Sequence, residues 1–257
     1  MKKFKKIIRA VLVLAVLAGL IYLIPKVITV VRLKRAADSY VAASSVSTFK
    51  DSKTTIIYDT NDQELCTMKN TKDMYYVSYQ EIPVTLVNSF VVMEDRQFYK
   101  HSGYDIKAIL RAIVINQKSN DIAQGASTIT QQLARNIFLS QEVTWQRKVE
   151  EIFIAVGLEK KYSKNQILEF YLNNIYFGNG YYCIKDASEG YFGKEPEDLT
   201  DYESTLLAGV PNAPSKYSPT VNLELAEKRQ EQVVERLVAC GLFTKERALE
   251  TLAGSEM

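Results

Sequence analysis

Histidine, cysteine and concentrated positive charge are what this 257-residue chain has least of. Its single histidine, His101, means that any Ser-His-Asp or Cys-His nucleophilic scheme has to run through that one residue. Three cysteines, Cys66, Cys183 and Cys240, are an odd count without metal-ligand spacing, and imply neither a disulfide framework nor a zinc site. Nine of the 32 basic side chains fall in residues 1–35, where there is no acid, so the remainder carries 23 against 30 acidic ones, a net −7. A nucleic-acid surface needs a concentrated basic patch for the phosphates, and that balance argues against one. There is no alternation of strand and helix patterns and no internal repeat, which leaves a predominantly α class.

The basic residues flank an apolar run instead. Ile7 to Ile24 is apolar except for Arg9, and Val27 to Val31 continues it past Pro25 and Lys26. About 20 such residues can cross a hydrocarbon core. The run is longer than a signal-peptide core and no small-x-small site follows closely, so it reads as one retained transmembrane helix rather than a cleaved leader. Lys2, Lys3, Lys5, Lys6 and Arg9 favour a cytoplasmic N-terminus, with Lys26, Arg32, Lys34 and Arg35 weakening the asymmetry. The expected organisation is a basic tail and anchor at 1–35, a linker with a short extended region at 36–80, and one domain at 81–257.

Local signals place the elements. Thr54 to Tyr58 and Leu65 to Met68 flank Asp59-Thr60-Asn61-Asp62 as a hairpin. Pro83 opens a helix towards Glu94, and Asp105 caps one through Ile106 to Gln117. Thr144 precedes a helix from Trp145 to Tyr162; Ser163-x-x-Gln166 and Thr200-x-x-Glu203 are capping boxes; Asn222 to Ala239 is helical with Gly241 past its end. Ile109, Leu110, Ile113, Val114 and Ile115, mixed with Lys107, Arg111 and Lys118, suit a helix at a membrane interface or one packed in the core.

The stretch from Gly125 to Asn136 crowds seven polar side chains into twelve residues. Ser127 is placed to cap a helix on which Thr128, Gln131 and Arg135 form one polar stripe, with Ile129, Leu133 and Ile137 facing protein. Gly125-Ala-Ser-Thr-Ile-Thr-Gln-Gln-Leu-Ala-Arg-Asn136 resembles the second signature block of the peptidoglycan glycosyltransferases, the family 51 enzymes found alone or at the front of class A penicillin-binding proteins. Three further blocks follow the family order. Glu94-Asp95-Arg96-Gln97-Phe98 to Asp105 resembles the first, Arg147-Lys148-Val149-Glu150-Glu151 the third, and Lys164 to Asn173 the fourth; Leu207 to Ser215 resembles a later loop.

The resemblance implies a lysozyme-like α fold that polymerises lipid II into β-1,4 glycan with inversion at the outer face of a membrane, on a single-pass anchor. Glu94 would be the general base for the acceptor 4-hydroxyl, and Glu151 the second catalytic carboxylate. Arg135, Arg147 and Lys148 would face the departing polyprenyl pyrophosphate, where a divalent cation, Mg or Mn, could assist through Glu151; no organic cofactor is implied. Asp95, Phe98, His101, Ser127, Thr128, Gln131, Gln132, Asn136, Lys164, Glu169 and Asn173 would bind substrate. Partners would be lipid II, the growing glycan, the bilayer and other cell-wall synthesis proteins. The rival readings are a glycan-cleaving enzyme of similar fold and a non-catalytic anchored scaffold. Three departures stand out: Arg135 replaces a usual Lys, Asp186 replaces a usual small apolar residue, and Cys183 replaces a usual Gly and would carry strain if a positive φ were required. Ser47-x-x-Lys50 matches a transpeptidase motif, but without Lys-Thr-Gly it is not read as one. The chain ends about where a bifunctional member would begin its linker, which suits a monofunctional enzyme or a piece of a longer one.

Overall fold

The computed structural model describes residues 2–50, 55–58, 64–68, 76–119, 127–140 and 142–254, without the side chains of 2–18, 20, 55–58, 64–68, 113, 114 and 116–119. Among the described residues the chain is helical apart from one two-stranded sheet. Strands β1 (Thr55–Tyr58) and β2 (Glu64–Met68) pair antiparallel, with a register shift between Ile57 and Tyr58. Of the turn read at Asp59 to Asp62 nothing lies among the described residues, and neither do residues 120–126.

Helix α1 (Lys2–Ala43) runs without a break through Pro25 and across the expected boundary at residue 35. Among the described residues no helix is long and apolar enough to cross a membrane, and most of the run read as an anchor lies where side chains are not described. The far end of α1 belongs to the folded body. It packs on α6 (Trp145–Lys161), where a Cβ on Gly157 would lie 2.7 Å from Val41. Lys161 Nζ donates to the Val41 and Ala42 carbonyls at 2.7 and 3.1 Å, placing a cation on the unsatisfied end of α1. The short α2 (Val46–Lys50) then buries Phe49, stacked on Phe170 with centroids 4.1 Å apart and the ring edge-on to Tyr162. Within α2, Ser47 pairs with Ser45 and Lys50 lies over the Tyr76 ring, so the two residues of the decoy motif have separate partners.

Helix α3 (Val84–Glu94) is apolar on nearly every side, and such a helix belongs in a core. Leu86 and Phe90 are fully enclosed, with α9 (Asp201–Gly209) and α11 (Leu223–Ala239) packed against them. Beyond it come α4 (Ile106–Ser119), α5 (Ile129–Phe138), which packs on α6 and α7 (Lys164–Leu172), then α8 (Ile184–Phe192), α10 (Pro214–Tyr217) and α12 (Lys245–Ala253). The boxes at Ser163 and Thr200 form as spaced, and Gly241 ends α11 at φ +71°. Helix α8 had no obvious start signal because its N-cap is Cys183, whose Sγ accepts from the Asp186 N–H at 3.4 Å. Cys183 has an extended φ of −146°, so the strain expected of it is absent. Burial pushes its thiol up to about 12, and Asp186 sits favourably in the first turn of α8.

Asp201 joins three helices, accepting from Thr85 Oγ1 at 2.6 Å and from Arg247 Nε at 2.7 Å. Burial raises its carboxyl, but Arg247 and Thr85 outweigh that and leave it below the ordinary value of 3.8. A folded value below the unfolded one stabilises the protein above 3.8 and is lost as the pH falls through the folded value. Asp201→Asn should therefore lower the midpoint of thermal unfolding at neutral pH, and the gap from the parent should close in acid. A gap unchanged down to about pH 2 would show that the carboxylate charge contributes nothing.

Candidate active site

The C-terminal end of α3 delivers Glu94 and Asp95 to an open cleft of about 650 Å³, which α4, the start of α5 and Arg236 of α11 also line. Arg96, Lys107, Arg111 and Arg236 line it against Glu94, Asp95 and Asp105, so its charged wall is mixed with one cation in excess.

Glu94 is half-buried. Gln132 Nε2 donates to its Oε2 at 2.8 Å, while Oε1 has no hydrogen-bond partner among the described residues. Gln132 is itself fixed, because the Tyr171 hydroxyl donates to its Oε1 at 3.1 Å. Tyr171 is fully enclosed; burial first, and then the Glu94 charge, hold its phenol well above the ordinary range, so it stays a donor. Arg236 Nη1 donates to the Met93 carbonyl at 3.1 Å, one residue before Glu94. Burial, then Arg96 and Arg229, lower its guanidinium, with Glu94 opposing.

Asp95 turns inward. Its Oδ2 receives His101 Nε2 at 2.7 Å and the Ile129 N–H at 3.2 Å. Gly103 N–H donates to His101 Nδ1 at 3.1 Å, so the ring must carry its proton on Nε2 to complete both bonds. Thr128, not Ser127, caps α5: its Oγ1 accepts from Gln131 N–H at 3.1 Å and donates to Gly103 O at 2.8 Å. Gln131 closes the box by accepting from Thr128 N–H and is fully buried, so of the expected polar stripe only Thr128 lines the cleft. Gln132, one position on, reaches Glu94 instead.

The third block forms a separate cluster. Arg147 Nη1 donates to Glu151 Oε2 at 2.6 Å, and Lys148 Nζ reaches Glu151 Oε1 and, at 2.7 Å, Ser127 Oγ. Glu151 is fully buried with both oxygens engaged. It therefore positions the two cations, and each of its oxygens faces one of them. A metal held through Glu151 does not fit this donor set, and among the described residues no three His, Cys, Asp or Glu side chains converge. Arg147 and Lys148 do not line the cleft; Lys148 reaches its rim through Ser127. Arg135 is half-buried with Nε unpartnered and acts electrostatically on Tyr171.

Several residues expected to touch substrate hold the scaffold instead. Phe98 is enclosed, with Lys164 Nζ 4.3 Å above its ring. Lys164 donates to His101 O at 3.0 Å and to Glu159 at 2.7 Å, and Glu159 also accepts from Thr130. Glu169 accepts from the Tyr76 hydroxyl and the Tyr79 N–H, and Asn173 pairs with both backbone groups of Val77. Asn136 donates to Asn174 O at 3.2 Å. Conversely, Arg236 carried no sequence signal, because an Arg on the charged face of an amphipathic helix looks like any solvated charge.

A family profile described as Transglycosylase matches residues 61–238. Penicillin-binding protein 2D of Bacillus subtilis (strain 168) is 42% identical over 200 residues, 78% of this chain and 29% of its own length. Penicillin-binding protein 1A of Aquifex aeolicus (strain VF5) is 43% identical over 178 residues, 69% of this chain and 24% of its own. Penicillin-binding protein 1A of Escherichia coli (strain K12) is 40% identical over 209 residues, 80% and 24%. The chain thus spans about a quarter of the length of these relatives. The solved structure of penicillin-binding protein 1A from Haemophilus influenzae aligns at a TM-score of 0.41 and 19% identity over 79% of this chain and 20% of that one, too distant a likeness to bear on the fold. The profile covers well over half of the sequence, from β2 to the last turn of α11, and so takes in the whole cleft: the chain belongs to the transglycosylase family.

Proposed function

We propose that this protein is a membrane-anchored peptidoglycan glycosyltransferase of lysozyme-like fold that extends glycan strands from lipid II. The observation that carries this reading is Glu94, at the wall of a cation-lined cleft, with one carboxylate oxygen fixed by Gln132 and the other unpartnered among the described residues. A general base needs that arrangement: one oxygen for orientation, one for the proton. Glu94 takes the proton of the acceptor 4-hydroxyl as that oxygen attacks the donor's anomeric carbon. The bond to the polyprenyl pyrophosphate breaks with its electrons on the leaving group, which departs as an anion and needs cations more than an acid.

Two sets of cations can meet it. Lys148, pinned together with Arg147 by buried Glu151, reaches the Ser127 rim, and Arg135 is carried on α5; Arg96, Lys107, Arg111 and Arg236 line the cleft itself. Fixed positive charge is worth more to a developing anion than mobile charge, because it needs no reorganisation. The proposed anchor is the N-terminal part of α1 with its N-terminus cytoplasmic and the cleft outside, near the lipid surface. Ile106 and Leu110 of α4, 56% and 59% exposed, would touch the bilayer there. Lipid II, the growing glycan and other cell-wall synthesis proteins are the partners this reading entails.

Glu94→Gln keeps the side chain's shape but cannot accept the proton. Polymer formation from purified lipid II should fall roughly 100-fold or more with the fold intact; near-parental turnover by a folded variant would refute the base assignment.

Removing a cation should act on the donor. Arg135→Ala or Lys148→Ala should each lower kcat/KM for lipid-linked substrate by about 10-fold or more. Parental kinetics in both variants would place the pyrophosphate among the cleft arginines instead.

Protein lacking residues 1–35 should still sediment with liposomes through α4. Complete recovery in the supernatant at low salt would leave the N-terminal helix as the sole attachment.

A further inference from the structure

The geometry points to Tyr171 as a positioning residue that locks the Gln132 side-chain amide in the one orientation presenting an N–H to Glu94. This rests on Glu94 being the base.

A glutamine amide has two orientations related by a half-turn of its terminal torsion, and its surroundings must choose between them. Here the choice is made at both ends. Nε2 faces Glu94 Oε2 at 2.8 Å, and Oε1 faces the Tyr171 hydroxyl at 3.1 Å. While Glu94 is ionised, its charge alone favours the N–H. Once Glu94 has taken the proton from the acceptor on Oε1, that preference weakens: a half-turn of the carboxyl would bring the new O–H round to Gln132, where a flipped amide could accept it through Oε1 and hold the proton there. The enzyme would then be slow to reset.

Tyr171 blocks the flip. Its ring is fully enclosed, edge-on to Phe90 with centroids 6.0 Å apart, so the hydroxyl cannot swing away. Gln132 Oε1 is its only hydrogen-bond acceptor among the described residues. A flipped amide would cost the buried phenol its acceptor, and a buried unpaired donor is unfavourable. Gln132 is thereby kept as a donor through both protonation states of Glu94. A hydrogen bond donated to the charged form of an acid favours that form, and loss of the lock would remove that preference.

Tyr171→Phe removes only the hydroxyl and leaves the ring packing. In the full-length protein the acid limb of the kcat/KM profile with lipid II should move to higher pH by about half a unit or more, because the flipped amide now stabilises protonated Glu94. The turnover number should fall ~10-fold with KM nearly unchanged. In a Gln132→Leu background the same substitution should cost nothing further, since Tyr171 would act only through Gln132. A purely structural role predicts a lower unfolding temperature with the acid limb unmoved and additive losses; either result would overturn the proposal. Carbon-13 titration of the Glu94 carboxyl, compared between parent and Tyr171→Phe, reads the same shift without turnover, so it separates failure of the lock from failure of Glu94 as base. If Tyr171→Phe does not fold, Gln132→Leu alone must raise the Glu94 titration, and an unchanged value sinks the lock.

Discussion

The buried carboxylate of Asp95 is the constraint on which the rest of the site depends. One oxygen takes His101 Nε2 from the loop after α3 and the Ile129 N–H from the first turn of α5, so three segments meet on a single atom. A carboxyl at 7% exposure left without its donors would be strongly unfavourable, so the loop and helix cannot separate from α3 cheaply. The consequence reaches Glu94 through the neighbouring peptide. Fixing the start of α5 beside the end of α3 sets the distance at which Gln132, one helical turn along, meets Glu94. Further bonds tighten the same junction: Thr128 to Gly103 O, and Lys164 to His101 O.

The two glutamates first read as a catalytic pair have opposite surroundings. Glu151 is enclosed with both oxygens on cations. Glu94 has one oxygen bound by a neutral amide and stands at the wall of the cleft. Carboxylates whose environments diverge suit different roles, and only Glu94 has the open oxygen that the proposed base needs. Glu151 holds Arg147 and Lys148 in fixed positions near Ser127, where isolated long side chains would otherwise sample many rotamers.

Much of the helical framework was legible because it rests on local chemistry. Thr144, Ser163, Thr200 and Asn222 mark helix starts through side-chain bonds that span three residues, which spacing alone reveals, and Pro83 marks one through its fixed φ. The misplaced cap at Ser127 shows the limit. Ser127 and Thr128 are equivalent locally, and Thr128 prevails because its hydroxyl can also donate to Gly103, 25 residues away. The same holds for the fourth block. Lys164, Glu169 and Asn173 have the residue types of a binding site, but their partners are Glu159, Tyr76 and the Val77 backbone, contacts made only by folding. Arg236 enters the cleft from about 140 positions beyond Glu94 for the same reason.

Helix α6 connects the two ends of the protein's architecture. Its first turns carry Arg147, Lys148 and Glu151, and its last carry Gly157 and Lys161, which seat the end of α1. Fourteen residues separate Arg147 from Lys161, about 21 Å along a helix at 1.5 Å per residue. A helix of that length transmits position without bending much, so the orientation of α1 and the placement of the cation cluster are set by one rigid element. Phe49 completes the joint: stacked on Phe170 of α7 and edge-on to Tyr162, it leaves α1 little room to pivot about its last turn. If the proposed lipid-linked substrate keeps its tail in a bilayer, a stiff joint between N-terminal helix and cleft would fix the height at which the reacting sugar arrives, where a flexible tether would let it vary over many ångströms.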